Sequence, residues 1–492
     1  MNTIKYIYII MISLLLVSLS SCEIAKDLDE YEPNFALPAE GAITNGETAE
    51  LALAGVYAGF RQRSAGGGNP DLYLLPSVLS GTMERSPFSR NPDILSWQQN
   101  NPDVTGTTNL GAYTRMYDLI NRANWLLQEI DNAPADSFSS ETRKAEVIAE
   151  TKALRATAHL YLLRLWGQFY DTNSEYGIVI KTEPSLSDEV FPRNTVAETY
   201  AAIIADLDDA IADAPDLRAK YYTNKTYAKG LKAKVLLYMG DYAGAATLAK
   251  DVLDNSGASF ALAPTYQEIF LDHTTPALFE STEVVFGSRG APGEGLGIGN
   301  FTDFAYALGA GFIDFGAGSW QIGSQNITYD SDRISSMVTL AFGFIPDTRK
   351  YTTREPGQDY EMIYHLRMAE VYLIYAEADA RANGSVSSDA LDALNTVRLR
   401  AGATTTGGDG FETYPATITY DQFIEAVRLE KYVELGGESG EEWFDLVRYH
   451  FVDGFDVTTV KPSATDPDKY ILPINQNNIE VGGNIVVQNP SY

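Results

Sequence analysis

The sequence predicts a mainly α-helical protein, with paired helices supporting a loop-rich region that holds a few short strands. Three observations carry that reading. Apolar residues recur at helical spacing over most of the chain beyond Tyr113. Helix start and stop residues stand at the ends of those stripes. Two segments, 59–110 and 287–318, break the pattern and show no apolar period.

Taken in order, Tyr113, Met116, Tyr117, Ile120, Leu127 and Ile130 line one face of a first helix. A second is expected over about Glu141–Trp166, striped by Ile148, Leu154, Ala158, Tyr161, Leu162 and Leu165. Thr195 and Glu198 form a capping box for a third, whose face carries Tyr200, Ile203, Ile204, Leu207 and Ile211 before Pro215 closes it. Residues 226–239 and 243–254 read as a helical hairpin across Gly240-Asp241-Tyr242, with Ala245 small enough for close helix approach. This pair is similar to a tetratricopeptide unit, and 372–397 is a more degenerate candidate, although no strict 34-residue period runs along the chain. Leu366–Asn383 is a further helix stopped by a left-handed Gly384. Ser388 caps 389–400, and Thr419 with Gln422 boxes the start of 420–435.

Composition narrows the function. Acidic residues outnumber basic ones by 66 to 36 in 492 residues, a net charge of -30. Nucleic acid is therefore not an expected partner, since that affinity rests on cations neutralising phosphates. One cysteine and four histidines exclude multi-cysteine zinc sites, iron–sulfur clusters and intrachain disulfides. His159, His273, His365 and His450 are scattered and read as structural. There is no phosphate loop, nucleophile elbow or His-Glu-x-x-His pair, and the alternating glycines of 293–299 lack the helix a dinucleotide site needs. No catalytic, metal or cofactor residue is assigned. Sixty-six carboxylates leave room for a glycosidase pair, which only spatial separation defines, yet none stands in a distinguishing context.

The lone cysteine has a setting of its own. Lys5 is the only charge before an apolar run from Tyr6 to Leu19, too short for the roughly 20 residues of a bilayer span. The run ends in Leu19-Ser20-Ser21-Cys22, which resembles a bacterial lipobox. Residues 1–21 are then a signal peptide and Cys22 is the lipidated mature N-terminus, the alternative being a buried thiol in a signal anchor. Residues 22–45 read as a tether, charged over 23–30. The regions expected beyond it are 46–255 and 256–492, with a loop-rich cap over about 256–365 and helices over 366–450.

Aromatic residues reach 11%, with 30 tyrosines, and the two aperiodic segments are the expected seat of binding. Trp97 lies in Ser96-Trp97-Gln98-Gln99-Asn100-Asn101 and Trp320 in Gly318-Ser319-Trp320-Gln321. A sugar ring offers an apolar C–H face and a rim of hydroxyls, so it suits a flat aromatic ring beside amides. Trp97, Asn100, Asn101, Trp320 and Gln321 are therefore the candidate ligand contacts. The alternative is that each tryptophan plugs its loop into the helical core, as expected of Trp125, Trp166 and Trp443 on their helices.

Taken together, the segments 113–130, 150–170, 195–211, 229–253, 365–384 and 390–403, with Phe444–Tyr449 and the terminal Gln488-Asn489-Pro490, resemble the SusD/RagB family of Bacteroidetes outer-membrane lipoproteins. That resemblance implies a SusD-like fold and a surface lipoprotein that captures oligosaccharide, or in some branches peptide. It further implies a SusC-like TonB-dependent transporter as partner, with no cofactor and no catalysis. A protein-binding helical scaffold and a carbohydrate-active enzyme are the competing readings. One stretch departs from the family: Glu430-Lys431 and Glu438-Ser-Gly-Glu-Glu442 stand where Glu-Arg and Glu-Gly-x-Arg are usual. That segment is expected to form a structural ion-pair network.

Overall fold

The computed structural model describes residues 41–61, 63–64, 67–185, 189–270, 281–290, 305–322, 325–328, 333–334, 337–341, 343–348, 350, 361–402 and 413–492. Cys22, the expected signal peptide 1–21 and the expected tether as far as residue 40 lie outside the described residues, as does His273.

The first half runs α1 (Gly46–Gly59), β1 (Arg63–Ser64), β2 (Gly67–Gly68), α2 (Asn69–Ser80), β3 (Met83–Arg85), α3 (Pro92–Gln98), α4 (Thr107–Glu129) and α5 (Arg143–Trp166). It continues with α6 (Val196–Asp213), α7 (Lys225–Met239) and α8 (Tyr242–Asn255). The middle is made of short pieces: β4 (Val284–Gly290), β5 (Tyr306–Leu308), α9 (Ala310–Ala317), β6 (Ser319–Ile322), β7 (Gln325–Thr328), β8 (Val338–Ala341) and β9 (Ile345–Thr348). Then β10 (Glu361–Arg367) feeds directly into α10 (Met368–Asn383), followed by α11 (Ser388–Arg400), α12 (Tyr420–Leu435), α13 (Glu441–Asp453) and α14 (Gln476–Val481).

The helices stack in chain order. α4 packs on α5, α5 on α6, α6 on α7, α7 on α8, and α8 on α10, which in turn meets α11 and α12. The fold is mainly α, as the periodicity predicts. The caps are also where the sequence places them: Thr195 and Glu198 box the start of α6, and Thr419 and Gln422 that of α12. Gly240 ends α7 in the left-handed region at φ +81°, and the Asp241 side chain accepts from Gly244 N to start α8. Two boundaries shift. Ser387 rather than Ser388 caps α11, and residues expected at the start of the 366–383 helix belong to β10. At the N-terminal edge, Ile43 is buried and Gly41 N donates to Glu129 Oε2, so the packed body begins a few residues before 46.

Residues 59–110 are not the irregular loop that their prolines suggest. Pro92 occupies the first turn of α3, where a missing N–H costs nothing, and Asn91 caps that turn. Pro76 lies inside α2 and packs against the start of α13, where a Cβ on Gly440 would come within 2.1 Å of Pro76 Cβ.

The departing segment, 430–442, is buried and binds the parts together. Glu430 pairs with Arg333, and Lys431 reaches Glu377 at 2.9 Å and Asp445 at 3.2 Å. Glu438 holds Arg367 and Lys350, each at 2.7 Å. Glu441 holds Arg164 of α5 at 2.7 Å and Lys234 of α7 at 3.1 Å. The cations that complete this network thus come from β10, from segments of the middle region and from the N-terminal helices. Burial pushes the Glu441 carboxyl up, but Arg164 and Lys234 overcome it and hold it down at about 2. Glu442 faces hydroxyls instead, from Thr82 and Ser80, and burial raises its carboxyl.

Candidate ligand-binding site

The two aperiodic segments meet. β3 pairs antiparallel with β5 in the register Met83–Leu308, Glu84–Ala307 and Arg85–Tyr306. Ser86 N extends the ladder to Ala305 O at 3.0 Å, and Gly309 N donates to Thr82 O at 2.8 Å. A Cβ on Gly309 would lie 2.1 Å from Gly81 O, so glycine is needed for this approach. The hairpin β8–β9 turns at Gly343, φ +79°, and packs on β5 through β9. These pieces form a cap beside α12 and α2.

The cap presents aromatic rings to solvent. Phe88, from the segment after β3, is 48% exposed, and Phe344, at the β8–β9 turn, is 62% exposed. Their rings meet edge to face at 6.0 Å, with Leu340 exposed on the same hairpin. Apolar rings left in water at a fixed spacing are uncommon unless something covers them. Neither phenylalanine stood out in the sequence, because their partnership spans 256 positions (344 − 88) and leaves no local periodicity.

Trp320 belongs to the same cap. It lies on β6, opposite Ile327 of β7, and is half-buried. Its ring sits 3.9 Å from that of Phe315 on α9 at 36°, and its Nε1 donates to Phe315 O at 3.4 Å. Phe315 in turn meets Tyr432 of α12 at 4.9 Å. One part of the Trp320 ring is thereby supported and part is left open. Gln321 follows on the opposite strand face and is exposed. Both residues stand as ligand candidates.

Trp97 does not. It is 2% exposed on α3, inside the common core, where α3 meets α2, β3 and α4. Asn100 is also buried. It takes a left-handed φ of 51°, donates from Nδ2 to Leu79 O at 3.0 Å and accepts from Ser463 Oγ at 2.6 Å. Its amide is consumed in holding a turn. Asn101 is exposed, and its Oδ1 accepts from Lys469 Nζ at 2.6 Å. The expectation that Trp97 and Asn100 contact ligand is therefore corrected, because both are buried in the stack, whereas the Trp320 ring is on the cap. Of the other tryptophans, Trp166 and Trp443 are buried, donating to Asn109 Oδ1 and Tyr470 O, while Trp125 is only half-buried.

Burial lowers the Lys461 ammonium to about 8, partly offset by Glu84, whose own carboxyl burial raises. His365 is inside the stack, between Tyr161 OH at 3.2 Å and Ser288 Oγ at 2.8 Å, and burial pushes it down to about 3. Among the described residues no group of three or more His, Cys, Asp or Glu is arranged to hold a metal ion. Nor is any described helix long and apolar enough to cross a membrane.

A stack of paired helices carrying a cap of short strand pairs is the fold this chain shares with solved SusD superfamily structures. The SusD family model matches residues 321–492, and a second, described as starch-binding associating with outer membrane, matches 64–237. This chain belongs to the SusD/RagB family. A SusD-like protein of Bacteroides ovatus is 26% identical over 381 residues, covering 69% of this chain and 65% of that relative. A SusD-like protein of Formosa agariphila is 23% identical, covering 91% and 89%. A putative sugar binding protein from Bacteroides vulgatus superposes with a TM-score of 0.72 at 21% identity, over 92% of this chain and all of that one. A laminarin binding SusD-like protein superposes with a TM-score of 0.67 at 23% identity and the same coverage. At such identity these structures establish the shared fold.

Proposed function

We propose that this protein is a surface-exposed outer-membrane lipoprotein, anchored through Cys22, that captures oligosaccharide and delivers it to a SusC-like TonB-dependent transporter. It acts by binding, without catalysis or cofactor. The observation that carries the reading is the cap, where two distant segments pair and leave Phe88, Phe344 and part of Trp320 open to solvent. Aromatic rings suit the apolar faces of sugars and lose little rotamer freedom on binding. The family membership and the sugar-binding and laminarin-binding descriptions of its structural relatives support glycan over peptide.

Two experiments test it. Glycan and peptide arrays probed with the protein should give glycan hits, recovered uncleaved. Peptide hits alone would reassign the ligand, and cleaved sugar would make the protein an enzyme. Separately, a tagged chain extracted from native membranes in mild detergent should bring down a β-barrel transporter. Its Cys22→Ala variant should be lost from the outer-membrane fraction.

A further inference from the structure

We infer that the helical face carries a second neutral-glycan site, distinct from the cap, in a groove between α4, residues 177–185 and 189–191, and α14 with the residues that follow it. The groove encloses about 380 Å³, within the range of small-molecule sites. No cap strand contributes to it.

Its walls are fixed before any ligand arrives. Tyr117 OH of α4 donates to Val179 O at 3.0 Å, and Asn121 exchanges two hydrogen bonds with Ser185, at 2.8 and 3.1 Å. On the other side, Arg193 donates to Gly177 O at 2.9 Å and to Asn489 Oδ1 at 2.7 Å, tying the C-terminal segment to the start of that wall. A preformed groove spares a ligand the ordering cost of building one.

The lining suits a sugar. Tyr113 and Tyr117 lie side by side, ring centroids 4.9 Å apart, and Phe191 and Val481 stand at the mouth, 46% and 67% exposed. Asn477 and Asn478 add amides, and Asn478 Nδ2 is buried without a hydrogen-bond partner among the described residues. Asn477 is exposed and offers a sugar both an amide donor and an acceptor. Asp118 and Glu189 against Lys181 leave the groove slightly acidic, which disfavours sulfated or uronic sugars. A neutral pyranose chain is the remaining match.

The test is calorimetric titration of the full chain with maltohexaose and with laminarihexaose. Two binding events are expected for at least one of these hexamers. Phe191→Ala and Asn477→Ala should each weaken one event at least tenfold without moving the melting temperature, while Trp320→Ala acts only on the other. A single event that Trp320→Ala abolishes and Phe191→Ala leaves intact would overturn the groove and spare the cap. Binding indifferent to all three variants would overturn both, and no binding of either hexamer would overturn the neutral-glucan assignment. A Phe191→Ala chain that keeps every sugar event but loses its membrane partner would make the groove a protein interface instead.

Discussion

Trp97 and Trp320 are each followed by glutamine and set among small polar residues, yet they finish in opposite environments. Trp97 is on a seven-residue helix wedged between α2 and α4, so its ring has the helical core on every side. Trp320 is on a two-stranded hairpin that rests on α12 by one edge, and its ring, packed on Phe315, stays half-buried. The local sequence is nearly the same; what differs is the number of elements that converge on it. Polarity of the flanking residues therefore says little about burial of the tryptophan itself. The neighbouring amides follow suit, since Asn100 spends its hydrogen bonds on the stack and Gln321 faces solvent.

The contrast can be broken at several points. Trp97→Ala should cost about 3–5 kcal/mol of stability, as removal of a fully buried indole does. Denaturant unfolding measures it, and a loss below about 1 kcal/mol would mean that Trp97 is not core. Titration extends the same contrast. His159 is buried in α5, with neither ring nitrogen partnered among the described residues. Burial, with Arg155 adding to it, pushes its imidazole from 6.5 down to about 3. The folded value is the depressed one, so its contribution is complete above pH 6.5 and is lost as pH falls toward 3. The slope is at most about 1.4 kcal/mol per pH unit, or about 2 kcal/mol between pH 6.5 and 5. His159→Leu should flatten the fall in unfolding midpoint between pH 7 and 5, and an unchanged fall would assign acid sensitivity elsewhere. Smaller still, Asn100→Ala should cost about 1–2 kcal/mol through its lost hydrogen bonds and left-handed backbone. Asn101→Ala should change stability by less than about 0.5 kcal/mol.

Much of the stack was legible in the sequence because its signals are local. Capping boxes at Thr195 and Thr419, the left-handed glycines 240 and 384, and i, i+3, i+4 stripes all act within a few residues. The ion-pair role of 430–442 was legible too, although its partners Arg164 and Lys234 were not, being more than 200 positions away. The cap was legible only as an absence of period. Its strands are three or four residues long, too short for alternation to show, and β3 finds its partner β5 more than 200 positions away. Prolines misled in 59–110, because Pro92 at a helix start and Pro76 within α2 read the same as loop prolines. The exposed pair Phe88–Phe344 and the groove beneath Phe191 are products of distant approach and carry no local signature.

The cap as a glycan-capturing surface stands or falls with Trp320. Affinity for an array-identified glycan and melting temperature should be measured together on the Trp320→Ala chain. A half-buried ring resting on Phe315 predicts at least a tenfold loss of affinity, about 1.4 kcal/mol, with little change in melting temperature. A variant that melts markedly lower yet binds normally, once scaled to its folded fraction, would make Trp320 a second Trp97 and remove it from the site.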